Sequence, residues 1–189
     1  NSIDILINSF KNVKTEKKLV IVGDAPYSDE YKKSLFKLAS DDSRIIFTGY
    51  AFDQDYDQLS THAYFYVQPA GIDGTRPALL DQMGFGNCVL VRNSTVNMEV
   101  ISDCGAYFEK NNLQSSLTMK IQTLVDNPNI VFDYRKKVKS RIKSYYNWEW
   151  VTNFYEITFE NILKNEKLIS YDDFIEIEKK DAGRKINDI

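Results

Sequence analysis

Nothing in the sequence approaches the roughly 20 consecutive apolar residues that a helix needs to cross a bilayer, so no transmembrane helix is expected. An excess of one charge is also missing: 24 Lys and Arg stand against 27 Asp and Glu, for a formal net charge of −3. No overall field gathers nucleic acid or anionic lipid, so an anionic ligand has to be held by local groups. A nucleic-acid partner is therefore excluded and a small-molecule pocket favoured. Cysteine is scarce, and Cys88 and Cys104 show neither C-x-x-C spacing nor a secretory leader ahead of them. That pattern argues against a disulfide framework and for a reducing compartment, the cytoplasm. The single histidine, His62, has no carboxylate at catalytic or metal spacing and reads as structural. Internal repeats and low-complexity segments are absent. So is the G-x-G-x-x-G of a dinucleotide-binding oxidoreductase, since "GDAPYS" from Gly23 to Ser28 keeps only its first glycine.

What is present is enough apolar residue, 43% of 189, to bury one sizeable core. Short β-branched runs alternate with helical stripes. Strands are expected at Lys18 to Gly23, Arg44 to Gly49, Ala63 to Pro69 and Asn87 to Val91, the first of them buried on both faces. Ser28 reads as the N-cap of a helix carrying Tyr31, Leu35 and Leu38. Further helices carry Leu113, Leu117, Ile121 and Leu124, then Val131, Val138 and Ile142, then Trp148, Val151, Tyr155, Phe159 and Ile162. Strict alternation implies βαβ units, hence an α/β, Rossmann-like open parallel sheet with helices on both faces. The opening helix "IDILINSF" has no strand before it, although a doubly wound domain begins with one, so the first strand is expected to be missing. Residues 1–164 are expected to form the domain, and the charged residues 165–189 an appendage or frayed tail.

The stretch "GIDGTRPALLDQMGFGNCVLV", Gly71 to Val91, carries the chemistry. It follows a strand, and in open α/β sheets ligands sit beyond the carboxyl ends of strands. Thr75 or Arg76 caps the helix and Pro77 suits its first turn. A helix N-terminus with free amides attracts phosphate, Gly74 allows close backbone approach, and Arg76 can add a bidentate contact. Asp81 lies about 200° round the helix from Leu79 at 100° per residue and so faces ligand or water. A carboxylate accepts from vicinal hydroxyls. An acid on either side of phosphate donors therefore suits a sugar nucleotide, with Asp73 at one sugar and Asp81 at the other.

The same stretch resembles the signature of retaining GT-B glycosyltransferases of family four, also called group 1. There, two glutamates separated by seven residues straddle this helix and an "AMxxGxPVV" segment follows. Asp73 and Asp81 have that spacing. "KLVIVGDAPYSDEY", "RIIFTGYAFDQDYDQL" and "AYFYVQPA" resemble the family's "LxIVGDGP", "VxFxGxV" and "xxxPS" segments. The likeness covers Asn1 to Leu163 and identifies the chain as similar to the C-terminal, donor-binding domain. Its wording is nearest the bacterial rhamnosyltransferases of surface polysaccharide assembly.

The resemblance implies roles. Asp73 stands where the family's catalytic acid meets the transferred sugar, and Asp81 where the second acid binds the ribose. Gly74, Thr75, Arg76 and Ala78 stand at the diphosphate. Gly49, Tyr50 and the residues to Phe52 stand at the base, and Gly23 lines the same cleft. No metal and no prosthetic group are implied. The donor is a nucleotide-diphosphate sugar, UDP- or dTDP-linked, and the acceptor, a glycan or lipid-linked glycan, is met through an N-terminal domain that this chain lacks. The chain is expected to bind without turnover, in the cytoplasm, with the inner face of the membrane as a peripheral contact through the basic run Lys136 to Lys143. Both acids are Asp rather than Glu, and a displacement of about 1 Å can cost on the order of 100-fold in rate. A non-catalytic nucleotide- or protein-binding domain of the same fold is the alternative. Plainer roles are assigned to Cys88 as a small core filler, to Met83 as core, and to the aromatics from Tyr145 to Trp150 as packing.

Overall fold

A computed structural model describes residues 2–71 and 74–187, with side chains as far as Lys180. In chain order the elements are α1 (Ile3–Lys11), β1 (Leu19–Val22), α2 (Asp29–Ala39), β2 (Ile45–Gly49), α3 (Asp53–His62), β3 (Tyr66–Gln68), α4 (Pro77–Gly84), β4 (Val89–Arg92), α5 (Thr95–Ile101), β5 (Ala106–Phe108), α6 (Leu113–Asp126), α7 (Pro128–Tyr145), α8 (Trp148–Lys164) and α9 (Tyr171–Asn187). Contacts divide the chain into two compact units, residues 1–138 and 139–189, with the boundary inside α7. That boundary comes earlier than the change of composition at Asn165.

In the first unit every strand pair is parallel. The strands lie in two sheets, β1-β2 and β3-β4-β5, with no ladder joining them among the described residues. Helix α1 packs against both α2 and α6. Its apolar spacing places Leu6, Ile7 and Phe10 on the buried side, each contributing about 1.5–3 kcal/mol by leaving water. Ser9 is fully buried on the same face, and its small side chain lets α6 approach closely. The Ser9 hydroxyl donates to the Gln114 carbonyl at 3.1 Å and the Thr118 hydroxyl donates to the Ser9 carbonyl at 3.2 Å.

Val89, Leu90 and Val91 of β4 are wholly buried, as expected of a central parallel strand. The expectation of two-sided burial fails for β1: Leu19 and Ile21 join the core, but Val20 and Val22 keep 38% and 42% of their surface. α1 and α2 cover one face of the β1-β2 sheet, Phe36 meeting Phe47 edge-on at 4.6 Å, and the other face stays open. Ser28 occupies the N-cap of α2 without a side-chain cap bond. A polar clamp joins the end of α1 to β2. Asp42 accepts from Arg44 Nε and Nη2, while Arg44 Nη1 donates to the carbonyls of Val13 and Thr15 at 2.9 and 3.0 Å.

In the second unit, Asn147 caps α8 by accepting from the Glu149 amide at 2.8 Å. The expected stripe of Trp148, Tyr155, Phe159 and Ile162 is exposed, and α8 buries no residue. Residues 171–187 form a helix rather than a frayed end, and α9 buries Phe174 and Ile175. Phe154, Tyr171 and Phe174 form an aromatic cluster with Tyr145, whose hydroxyl donates to Asp172. That hydrogen bond is the main cause that lifts the Tyr145 phenol to about 12.

Candidate functional site

The chain leaves the carboxyl end of β3 through Gln68, which accepts from the Tyr66 hydroxyl at 2.6 Å, and through the buried Ala70. Asp73, the expected catalytic acid, lies outside the described residues. Gly74 is exposed at φ +124°, a backbone region closed to most L-residues, and beyond its chain neighbours no described residue comes within 4 Å of where a Cβ would stand. The demand for glycine here comes from the backbone and leaves open space beside it. Arg76 takes the N-cap position with φ −100° and ψ 121°, and Pro77 follows at the first helical position. The amides of Leu79 and Leu80 both turn to the Arg76 carbonyl, at 3.0 and 3.4 Å. Pro77 has no amide, so Ala78 carries the next donor, and no described residue accepts from it. An exposed free amide on the positive end of α4 is a natural partner for an anion.

Further along α4, Leu79 and Met83 are buried while Asp81 is exposed, so the carboxylate points away from the core as the helical spacing requires. Thr75 is exposed and Arg76 half-buried. Burial lifts the Tyr66 phenol to about 12, with Arg76 and Asp81 acting on it in opposite directions. The cation and the carboxylate therefore both lie within electrostatic reach of one ring.

A second group forms at the carboxyl ends of β1 and β2. The Gly23 amide donates to the Gly49 carbonyl at 2.7 Å, and both glycines have positive φ, +116° and +68°. Tyr50 and Phe52 project from this turn as a stacked pair, centroids 5.7 Å apart and planes 23° apart, with 55% and 69% of their surface exposed. Asp24 accepts from Lys32 at 2.8 Å and from the Ala25 amide at 2.7 Å. The Lys32 bond is the chief cause that lowers the Asp24 carboxyl, and Tyr50 acts electrostatically on the same lysine.

Gly74, Thr75, Arg76, Ala78 and Asp81 thus share one helix start, and Gly23, Gly49 and Tyr50 share one pair of strand ends. No hydrogen bond among the described residues ties the first group to the second. Sequence reasoning missed Phe52 as an exposed stacking partner, the Asp24–Lys32 pair, and Arg92, which lies against Gly71. It also missed the support behind α4. Gln82 donates to Ser60, Asn87 donates to Gln82 and to the Ser60 carbonyl, and Arg135 donates to Asn87, all within 2.8 Å. The sequence signal for that support was a run of polar residues, Gln82 and Asn87, flanking an otherwise apolar turn. Among the described residues no three His, Cys, Asp or Glu side chains converge as metal ligands would.

The sequence pattern described as "Glycosyl transferases group 1" matches residues 1–127. The chain belongs to that family. Several solved structures share its fold. Anabaena HepE in complex with UDP superposes with a TM-score of 0.66 at 18% identity, over 74% of this chain and 40% of HepE. Sucrose-phosphate synthase from Thermosynechococcus elongatus gives 0.75 at 16% identity, over 87% of this chain and 43% of the synthase. The C-terminal domain of the group 1 glycosyl transferase LpcC from Francisella tularensis gives 0.64 at 20% identity, over 78% of this chain and 80% of that domain. At such identities the likeness is one of fold, an α/β layer architecture of parallel sheets flanked by helices. The chain spans about two fifths of the length of HepE. No curated protein sequence matches it. No helix of this group 1 transferase chain is long and apolar enough to cross a membrane, among the described residues.

Proposed function

We propose that this chain is the donor-binding domain of a retaining glycosyltransferase that moves a hexosyl or deoxyhexosyl unit from a nucleoside diphosphate to a glycan or lipid-linked acceptor. The observation that carries the reading is the free end of α4: the unaccepted Ala78 amide, the open left-handed turn at Gly74, and Arg76 and Asp81 gathered on the same helix start. The amide and guanidinium hold the diphosphate, and their stabilisation grows as the sugar bond breaks and charge collects on the leaving phosphate. Asp81 accepts from the ribose hydroxyls. By the family resemblance Asp73 stands at the transferred sugar, and the exposed aromatic turn at Tyr50 and Phe52 receives the base. UDP and dTDP are the expected nucleotides, and HepE, a fold neighbour, has been crystallised with UDP-glucose. Transfer needs no metal in this scheme. It takes place at the cytoplasmic face of the membrane during surface polysaccharide synthesis, with an acceptor-binding domain supplied outside these residues.

Calorimetric titration of the chain with UDP, dTDP, GDP and NAD tests the assignment. Saturable binding of one nucleoside diphosphate in preference to NAD is the expected result, and silence toward all three diphosphates would refute it. In a longer enzyme containing this domain, Asp73→Asn should reduce transfer far more than UDP affinity. A second reading, a nucleotide-binding domain without catalysis, is favoured by the shortened acids at Asp73 and Asp81. It predicts the same nucleotide binding and no transfer by the longer protein.

A further inference from the structure

Arg92 closes β4, opposite Phe108 of β5, at the carboxyl end of its sheet. Its side chain folds back over the loop that leaves β3. A Cβ added at Gly71 would stand 2.5 Å from Arg92 Cδ and 2.7 Å from Nε and Nη1, so the guanidinium occupies the space that a side chain at Gly71 would need. The backbone on both sides is pinned by Asn97, whose Nδ2 donates to the Arg92 carbonyl at 2.9 Å and to the Ala70 carbonyl at 3.5 Å. Asn97 is itself buried, on the first turn of α5 beneath a Ser94 cap. The strand end and the loop start are thus joined, and the position of Arg92 over Gly71 is built in.

What this guanidinium lacks is an acceptor: none of the described residues takes a hydrogen bond or an ion pair from it. A half-buried cation with five donors and no protein acceptor is costly unless an anion or water completes it. One strand back in sequence, the loop it braces carries the open turn at Gly74 and ends at the Ala78 amide, from which no described residue accepts. Arg76, the other cation of this loop, sits at the N-cap.

We propose that Arg92 binds the diphosphate of the donor, approaching it from beneath the loop while Arg76 and the Ala78 amide approach from the helix. The proposal rests on the donor-binding reading above and adds to it a ligand residue outside the α4 segment. It gives Gly71 a purpose as well, since any side chain there would push the guanidinium aside.

Calorimetry on the full chain separates the two readings, with UDP, UMP and uridine as probes. Arg92→Gln, and Arg92→Met, which keeps the aliphatic packing on Gly71 without the charge, should bind UDP about tenfold to 100-fold more weakly. UMP should lose less, and the interaction with uridine should not change. Gly71→Ala should mimic both variants by displacing the guanidinium. If the wild-type chain binds UDP and the folded variants match it within about twofold, Arg92 is no phosphate ligand, although the donor-binding reading stands. If both Arg92 variants fail to fold by circular dichroism, the residue serves the turn alone and the proposal is wrong. If the wild-type chain binds no nucleoside diphosphate at all, the donor-binding reading falls first and takes this one with it.

Discussion

Asp81 is exposed on the side of α4 away from Leu79 and Met83, so its charge contributes little to holding the fold and is available to a ligand. A carboxylate accepting from two ribose hydroxyls makes charge-assisted hydrogen bonds worth about 1.5–3 kcal/mol. Asp81→Asn should therefore weaken UDP binding about tenfold or more while leaving the thermal midpoint of the free chain in place. Calorimetry with UDP and a melting curve check both halves, and a lowered midpoint with unchanged affinity would move Asp81 from ligand binding to structure. Asn87 presents the opposite case. It is fully buried, donates to Gln82 and to the Ser60 carbonyl, and accepts from Arg135. Asn87→Ala leaves the Gln82 side-chain oxygen without its donor and takes one bond each from the Ser60 carbonyl and from Arg135, which both keep a partner in Ala63, and should destabilise the chain by about 2 kcal/mol, read as a lower urea midpoint. The first residue was legible in the sequence, because 100° per residue fixes which side of a helix a position occupies. The second was not, since its partners come from α3, α4 and α7 and no local period links them.

At the scale of elements, β-branched runs gave β1, β2 and β4 close to their true bounds, and the leucine spacing gave α6. Periodicity records which face of an element is apolar. It does not record what covers that face, which is why the open side of β1 at Val20 and Val22 and the exposed stripe of α8 were not foreseen. Nor did it reveal the clamp between α1 and β2, where Asp42 is held by Arg44. The Arg44 hydrogen bonds are the largest cause lowering the Asp42 carboxyl below its ordinary value. A carboxyl that titrates lower in the folded chain contributes stability that is complete above its unfolded value of about 3.9 and is lost as the pH falls through the folded one. The urea midpoint of the wild type should therefore exceed that of Asp42→Asn by a constant margin above about pH 5. The margin should then close as the solution is acidified below about pH 4. A margin that widened on acidification would mean that the clamp works through something other than the ionised carboxylate.

For the molecule as a whole, the family pattern ends at residue 127 and the first compact unit at residue 138, so the proposed donor contacts and the family likeness fall in the same part of the chain. Every proposed contact to the nucleotide comes from strand ends and a helix start in that unit, and one of them is the backbone amide of Ala78. Amide hydrogen exchange is the direct observable, because an amide that donates to phosphate or base exchanges more slowly than one that donates to water. With UDP present, peptides covering residues 74–80 and 49–53 should slow. Peptides from α8 and α9 should keep their rates, since no part of the nucleotide is assigned to residues 139–189. The net charge of −3 gives no general attraction for the ligand, so protection should be confined to these loops. Slowing in α8 and α9 equal to that at Gly74 to Ala78 would show that the nucleotide is held by the second unit, or orders it. The division of labour would then have to be redrawn with the aromatic stripe of α8 as part of the donor site.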